Sequence, residues 1–140
     1  MVTQSHVRTA NDSVVKNRVL EIVDGMSVQK KLSLYAASLV AKENDSVAPS
    51  PVVYDIYKIL CEGSDAEMYT QETVNSHINK AGTYGVLESE RSSGGFKSGV
   101  HLLFKFNEPV AAVLETLSED SRLKSIPAEE LSEVVKRRLR

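Results

Sequence analysis

The chain has 140 residues, of which 41% are hydrophobic and 26% charged, with a formal net charge of -2 and a pI near 5.9. A chain of this size can bury one core of ordinary dimensions, so we expect a single globular domain with helical extensions. The acidic balance excludes nucleic-acid binding by bulk positive charge, because backbone affinity comes from Lys and Arg side chains that displace counterions from phosphates. Any contact with DNA must therefore depend on where a few cations are placed.

Two absences limit the protein class further. The single cysteine, Cys61, excludes an internal disulfide and a cysteine-clustered zinc site, and because it ends an apolar run we interpret it as a buried structural thiol. The sequence contains neither an apolar run of the roughly 18 to 20 residues that a bilayer requires nor a signal peptide. We therefore expect a soluble, cytoplasmic protein without a membrane partner.

The first predicted helix runs from about Thr3 to Val23, where apolar residues recur at helical spacing, and it ends at Asp24-Gly25. A chain that begins inside an amphipathic helix often comes from cutting a domain out of a longer protein. We therefore hypothesise that Met1 need not be the native start. The second predicted helix has Ser27 as its N-cap and an apolar stripe that continues to about Lys42.

A polar break over Glu43–Val47 and two prolines separate this helix from a third one, which starts at Ser50, covers Val52–Cys61 and stops at Glu62-Gly63. Its tyrosines, Tyr54 and Tyr57, are interpreted as packing residues with hydroxyls that face water. Base-stacking aromatics more often stand on exposed strands.

The loop that follows leads to Met68-Tyr69, which we predict to be a short strand. A fourth helix is predicted over Thr70–Ala81, with Thr70 as N-cap and Gly82 as its left-handed stop. One stripe of this helix is apolar, and its outward face is polar without any long apolar side chain. The apolar stripe consists of Val74, Ile78 and Ala81.

Two strands, Val86–Arg91 and Val100–Phe106, follow this helix and are joined by a glycine-rich connection. A polar-faced helix followed at once by a glycine-tipped hairpin is typical of a winged-helix module, and we call this hairpin the wing. In such a module the second helix of the helix-turn-helix lies in the major groove. Glu88 and Glu90 are interpreted as a solvated face of the first strand. The predicted fold class is mainly α with a small β-hairpin (α+β), a winged helix-turn-helix with extra N- and C-terminal helices.

Two further helices are predicted, from Pro109 to Leu117 and from Ala128 to Leu139. The second ends in a basic cluster, which we interpret as a solvated helix end that complements the dipole, with a second phosphate contact as the alternative. The cluster consists of Lys136, Arg137, Arg138 and Arg140.

Several segments resemble the C-terminal part of archaeal replication initiators related to eukaryotic origin-recognition subunits and cell division control protein six (Orc/Cdc type). The resemblance spans about residues 5 to 125 and is carried by residues 29–34, 53–61, 69–74, 85–89 and 114–120. It implies residues 1–25 as a helix linking from an ATPase lid, 26–120 as the winged-helix DNA-binding domain and 121–140 as a C-terminal helical tail.

In that family a module of the AAA+ ATPase class precedes the winged helix. This sequence contains no phosphate-binding loop of the pattern Gly-x-x-x-x-Gly-Lys-Ser/Thr. The resemblance therefore implies a non-enzymatic fragment without its own cofactor, ATP and Mg belonging to the missing N-terminal module. The partners it implies are double-stranded origin DNA, that ATPase module and other replication proteins.

For DNA contact, the resemblance implies the helix 70–81 in the major groove and the wing 91–100 on the minor groove or the backbone. Amides and hydroxyls on the helix suit base edges, while cations hold phosphates and the wing tip approaches the backbone. The residues implied are Gln71, Thr73, Asn75, Ser76, Asn79, Lys80, Arg91, Ser92, Ser93, Phe96, Lys97 and Ser98. Phe96 either wedges between base steps or folds back under its hairpin.

Two alternatives to origin binding remain. A winged-helix transcription regulator would normally dimerise on a palindromic site. A winged helix used for protein contact fits the acidic balance. An enzyme is disfavoured because no nucleophile, base or metal constellation stands out: neither His77 nor His101 has a partner at metal spacing.

Overall fold

The computed structural model describes residues 17–93, 100–120, 123 and 128–139, without the side chains of 92, 93, 100, 101, 128 and 129. The predicted fold class is confirmed: helices dominate, and one small antiparallel sheet accompanies them. The elements in chain order are α1 (17–24), α2 (Val28–Glu43), β1 (Val47–Pro49), α3 (Ser50–Ser64), α4 (Gln71–Gly82), β2 (Leu87–Ser93), β3 (Val100–Phe106), α5 (Val110–Ser118) and α6 (Ala128–Leu139). The predicted start of α1 near Thr3 lies outside the described residues.

Helix α2 is the centre of the core. The predicted N-cap is confirmed, since the Ser27 side chain accepts a hydrogen bond from the Lys30 amide. Every residue from Leu32 to Ala41 is buried, which means that this part of the helix is covered on all sides. Helices α3, α4, α5 and α6 all pack against it. Small side chains such as Ala36 and Ala37 let these neighbours approach closely.

Strand β1 was not predicted. The sheet has the order β1-β3-β2, and Val47 pairs with Lys105 while Pro49 pairs with Leu103. The segment interpreted as a polar break is a tight turn, because Asp45 and Ser46 both adopt positive φ and redirect the chain alongside β3. The prediction of a strand at Met68-Tyr69 is wrong, since these residues lie in the irregular segment before α4.

Two predicted helix ends are also wrong. Helix α3 continues through Gly63 to Ser64, and the left-handed residue that ends it is Asp65, with φ of 54°. Helix α4 has the predicted N-cap, Thr70, but Gly82 is its last helical residue and the left-handed glycine is Gly85, with φ of 88°. In both cases the left-handed residue lies two or three positions after the glycine that was predicted to end the helix.

The flanking helices belong to the same core. Val19 and Val23 of α1 are buried in it, as are Leu131 and Val135 of α6. Helix α6 packs against α2 and α3, and the Ser132 hydroxyl donates to Oε1 of Glu43 at 2.6 Å. The predicted apolar stripe of the tail is therefore confirmed as a packing surface.

Candidate nucleic-acid interface

Helix α4 has one buried side and one exposed side. Val74, Ile78 and Ala81 are buried, as predicted from their spacing. The opposite side is fully polar and open to solvent, and it consists of Glu72, Ser76, Asn79 and Lys80. This exposed polar side, 72/76/79/80, is the part of the described chain that best fits a recognition surface.

A polar cluster around the buried Tyr57, called here the Tyr57 hub, fixes the start of α4. It consists of Gln29, Tyr57, Glu67 and Tyr69. The Tyr57 hydroxyl donates to Oε1 of Gln29 at 2.6 Å and accepts from the Tyr69 amide at 3.0 Å, while Nε2 of Gln29 donates to the Glu67 carbonyl at 2.6 Å. The hub thereby joins α2, α3 and the residues just before α4.

The hub corrects the prediction of water-facing tyrosine hydroxyls. Tyr57 is fully buried and its hydroxyl is bonded within the protein, while the Tyr54 hydroxyl donates to the Tyr69 carbonyl at 2.9 Å. Burial raises the pKa of the Tyr57 phenol well above its usual value. Both tyrosines are structural, as predicted, but through hydrogen bonds as well as packing.

Three predicted contact residues of α4 lie on its flanks and are half-buried: Gln71, Thr73 and Asn75. Thr73 shares a hydroxyl contact of 3.0 Å with the N-cap Thr70. The Asn75 oxygen Oδ1 is buried and has no hydrogen-bond partner among the described residues. An unsatisfied buried acceptor lowers the stability of the fold. In this arrangement Oδ1 of Asn75 faces the protein and not the solvent. The flanks are therefore less available to a duplex than the exposed side.

The wing is described only up to its tip. Strands β2 and β3 pair antiparallel from Leu87 with Phe106 to Ser93 with Val100, and Arg91 is exposed opposite Leu102. Ser92 and Ser93 are placed by their backbone in β2. The predicted contacts at Phe96, Lys97 and Ser98 lie outside the described residues.

Charge on the sheet is mixed. Glu88 and Glu90 are exposed, as predicted for a solvated face. Nζ of Lys105 lies 2.5 Å from Oε2 of Glu90, and this hydrogen bond raises the pKa of Lys105. The positive charge of Lys105 is thus partly offset by Glu90, whereas Lys80 and Arg91 form no ion pair within the described part of the chain. Local cations therefore lie on α4 and at the end of β2.

A cavity of about 330 Å³ lies beside α4, between the end of α1 and the start of α2. Lys30, His77 and Lys80 supply its basic groups, and Glu21 and Tyr84 complete its polar rim. Nδ1 of His77 is 3.4 Å from the Ser33 hydroxyl, which itself donates to the Gln29 carbonyl at 2.8 Å. Desolvation, followed by the charges of Lys30 and Lys80, lowers the pKa of His77. No pattern in the sequence identifies Lys30, because only tertiary packing brings it beside α4.

The basic end of α6 is partly paired. Nζ of Lys136 lies 3.9 Å from Oε2 of Glu43, and Nη1 of Arg138 lies 3.7 Å from Oδ2 of Asp55. Arg137 is exposed. These contacts support the interpretation of a helix end that is held to the protein and faces solvent.

Within the described ranges, no three His, Cys, Asp or Glu side chains are grouped so that they could hold a metal ion. Helices long and apolar enough to cross a membrane are likewise lacking among residues 17–93, 100–120 and 128–139.

A comparison with protein families matches residues 21–116 to the CDC6 C-terminal winged helix domain. The chain belongs to this family. The match covers α1 to α5 almost completely, so it includes the helix with the exposed polar side and the wing. The resemblance noted from the sequence is confirmed.

Individual relatives of this CDC6-type winged helix are archaeal. ORC1-type DNA replication protein 14 of Haloarcula marismortui is 38% identical over 127 residues, which cover 87% of this chain and 30% of that protein. ORC1-type DNA replication protein 5 of Halobacterium salinarum is 33% identical over 144 aligned positions, which cover 99% of this chain and 34% of that protein. The chain thus spans about a third of the length of these relatives.

Among solved structures, the ORC1 protein of Aeropyrum pernix in complex with DNA has the same fold. Its TM-score is 0.73 at 25% sequence identity, and the superposition covers 90% of this chain and 32% of that one.

Proposed function

We propose that this CDC6-type winged helix binds double-stranded DNA at replication origins, with α4 in the major groove and the wing 91–100 on the minor groove or the backbone. The observation that carries the proposal is the exposed polar side of α4, held rigidly by a fully buried opposite side. The structural neighbour is an ORC1 protein in complex with DNA, which supports DNA as the partner of this fold.

The dimensions fit this placement. Helix α4 has 12 residues, which gives a length of about 18 Å, and a helix of roughly 10–12 Å diameter enters the major groove of B-DNA. Because the Tyr57 hub and the N-cap fix the start of α4, its polar side points away from the core along its whole length.

The predicted contacts divide by exposure. Asn79 is the exposed amide and suits adenine, Ser76 can bond bases or phosphates, and Glu72 can accept from the cytosine amino group. Lys80 and Arg91 are exposed cations that suit phosphates. The remaining predicted residues supply contacts at the flanks of α4 and on the wing: Gln71, Thr73, Asn75, Ser92, Ser93, Phe96, Lys97 and Ser98.

We further propose that the chain acts within a longer initiator. The chain spans only about a third of the length of its relatives. The remaining two thirds leave room for the AAA+ ATPase module expected from the family, which would bind ATP and Mg. The formal charge of -2 also favours this arrangement, since a second DNA-binding module would add affinity that a winged helix with few cations lacks.

The test is selection of bound duplexes from a random-sequence pool of double-stranded DNA, followed by fluorescence anisotropy with an enriched duplex. Lys80→Ala should weaken binding, whereas Lys42→Ala should leave it unchanged. The two lysines are matched, because each is exposed in the last turn of its own helix. Failure to enrich any duplex, or equal loss in both variants, would contradict the proposal.

Protein contact is the second candidate, and the exposed acids Glu72, Glu88 and Glu90 favour it. It predicts that no duplex is enriched while a replication protein binds the same surface. A transcription regulator instead predicts a stable dimer by sedimentation and a palindromic site.

A further inference from the structure

We infer that the cavity between α1, α2 and α4 takes a phosphate group of the DNA backbone, held by Lys30 and Lys80 with His77 beside them. This inference rests on the proposed function and extends the DNA-contacting surface from α4 onto α2. Lys30 was not among the residues predicted from the sequence.

The position of the cavity relative to α4 is the first argument. On one flank of α4, Gly82 approaches Leu87 at the start of β2, so this flank faces the wing. On the other flank, His77 contacts Ser33 of α2, and the cavity opens there. A helix seated in the major groove has a sugar-phosphate strand along each flank. The wing contacts one strand, and the cavity lies toward the other.

The chemistry of the cavity is the second argument. Lys30 and Lys80 both line it, and neither takes part in an ion pair among the side chains that the structure describes. Both lysines are also close enough to act on His77, whose pKa is lowered first by desolvation and then by their charges. Two ammonium groups that line one cavity repel each other, and an anion between them removes that repulsion. A phosphate oxygen is an anion that can bond both.

His77 has a ring nitrogen that can become a third cationic group of the cavity. Because the single hydroxyl hydrogen of Ser33 is directed to the Gln29 carbonyl, Nδ1 of His77 is the donor in its contact with Ser33. Nε2 is then the ring atom that can gain a proton when a phosphate enters the cavity. His77 would pass from a neutral ring to a third cation.

Glu21 opposes the site. Its exposed carboxylate lines the same cavity and would repel a phosphate. Two variants should therefore change the affinity for duplex DNA in opposite directions. Lys30→Gln should weaken binding, and Glu21→Gln should strengthen it. A residue that matters only for folding would not produce this pattern.

The decisive measurement is the salt dependence of affinity, by fluorescence anisotropy with an enriched duplex or, in its absence, a random 24-bp duplex. Loss of one phosphate contact reduces the slope of log affinity against log salt by about 0.9. Lys30→Gln should show this reduction, and Lys42→Gln, at the other end of the same helix, should keep the wild-type slope. Thermal unfolding of both variants checks that they fold.

A pH titration tests His77. The groups that face it are Glu21 of α1, Lys30 and Ser33 of α2, Lys80 of α4, and Tyr69 and Tyr84 on either side of α4. In the free protein the pKa of His77 lies below its usual 6.5, and a bound phosphate would raise it. Binding should then take up protons, so wild-type affinity should rise more on lowering the pH from about 7.5 to about 5.5 than that of His77→Gln.

The outcomes separate the two proposals. Duplex binding that depends on Lys80 but keeps its salt slope in Lys30→Gln would overturn the cavity while leaving the proposed function intact. Identical pH profiles for wild type and His77→Gln would also count against it. No duplex binding by the wild-type chain would overturn both.

Discussion

A Cβ atom built on Gly82 would lie 3.0 Å from the carbonyl oxygen of Leu87. The last residue of α4 and the first residue of β2 therefore pack backbone against backbone. This contact places the wing directly beside the end of α4, and it explains the glycine without any left-handed conformation.

Gly82→Ala should lower the free energy of unfolding by about 1 kcal/mol, because overpacking costs more than the gain in helix propensity. Gly63→Ala is the matched control, since Gly63 also lies within a helix and a Cβ there would meet nothing within 4 Å. It should stabilise by roughly 0.5 kcal/mol. Urea denaturation measures both, and equal effects in the two variants would contradict the packing argument.

Tyr57→Phe should lower the free energy of unfolding by about 1–3 kcal/mol, because the Tyr69 amide and Oε1 of Gln29 lose their buried partner. Tyr84→Phe is the control and should have no measurable effect, since Tyr84 is 60% exposed. Urea denaturation of the two variants gives the comparison. A Tyr57→Phe protein as stable as Tyr84→Phe would mean that the Tyr57 hub contributes no stability.

Lys31 and Asp120 form an ion pair of 2.7 Å in which each side chain is only 18% exposed. It joins α2 to the segment just after α5. Lys31→Met should destabilise by about 1–3 kcal/mol, because a largely buried carboxylate loses its ion pair with Lys31. Since burial limits screening, this loss should persist in 1 M salt, whereas the coupling of the exposed Lys105–Glu90 pair should disappear there. A double-mutant cycle for each pair provides the measurement.

His77 should make stability depend on pH. Its pKa is lowered in the folded protein, chiefly by desolvation, so the unfolded chain binds its proton more readily. The stabilising contribution is present above the unfolded value of about 6.5 and is lost as the pH falls toward the lower folded value. The free energy of unfolding of the wild type should therefore drop more steeply below pH 6.5 than that of His77→Gln. Parallel curves would contradict this assignment.

The combined variant Lys136→Gln and Arg138→Gln should retain the wild-type salt dependence of DNA binding. Both cations lie near acids of α2 and α3, so we expect them to hold α6 in place without contacting phosphates. Lys80→Gln should in contrast reduce the slope by about 0.9. A similar reduction in the tail variant would support the alternative of a second phosphate contact.

Helices with a clear stripe could be predicted from the sequence. Val74, Ile78 and Ala81 identified the buried side of α4, and Ser27 and Thr70 identified two N-caps, because caps and periodicity are local properties. Strand β1 could not, since Val47–Pro49 is three residues long and contains a proline, which only an edge strand accommodates easily. Its pairing with β3 depends on partners far along the chain.

The candidate site divides in the same way. The exposed residues of α4 follow from one helical period, so Ser76, Asn79 and Lys80 could be named in advance. The cavity could not be, because Ser33 and His77 are 44 positions apart and meet only through packing of α2 on α4. The Tyr57 hub was missed for the same reason, as its hydrogen bonds connect three separate segments.

Helix α2 supports both parts of the proposed DNA-binding surface. It packs against α4. After a short turn the chain continues from α2 into β1, which pairs with the base of the wing. The separation between α4 and β3 is thus set before any duplex arrives. Association should then resemble rigid docking, with a small loss of conformational entropy in these two elements and a rate governed by orientation during encounter.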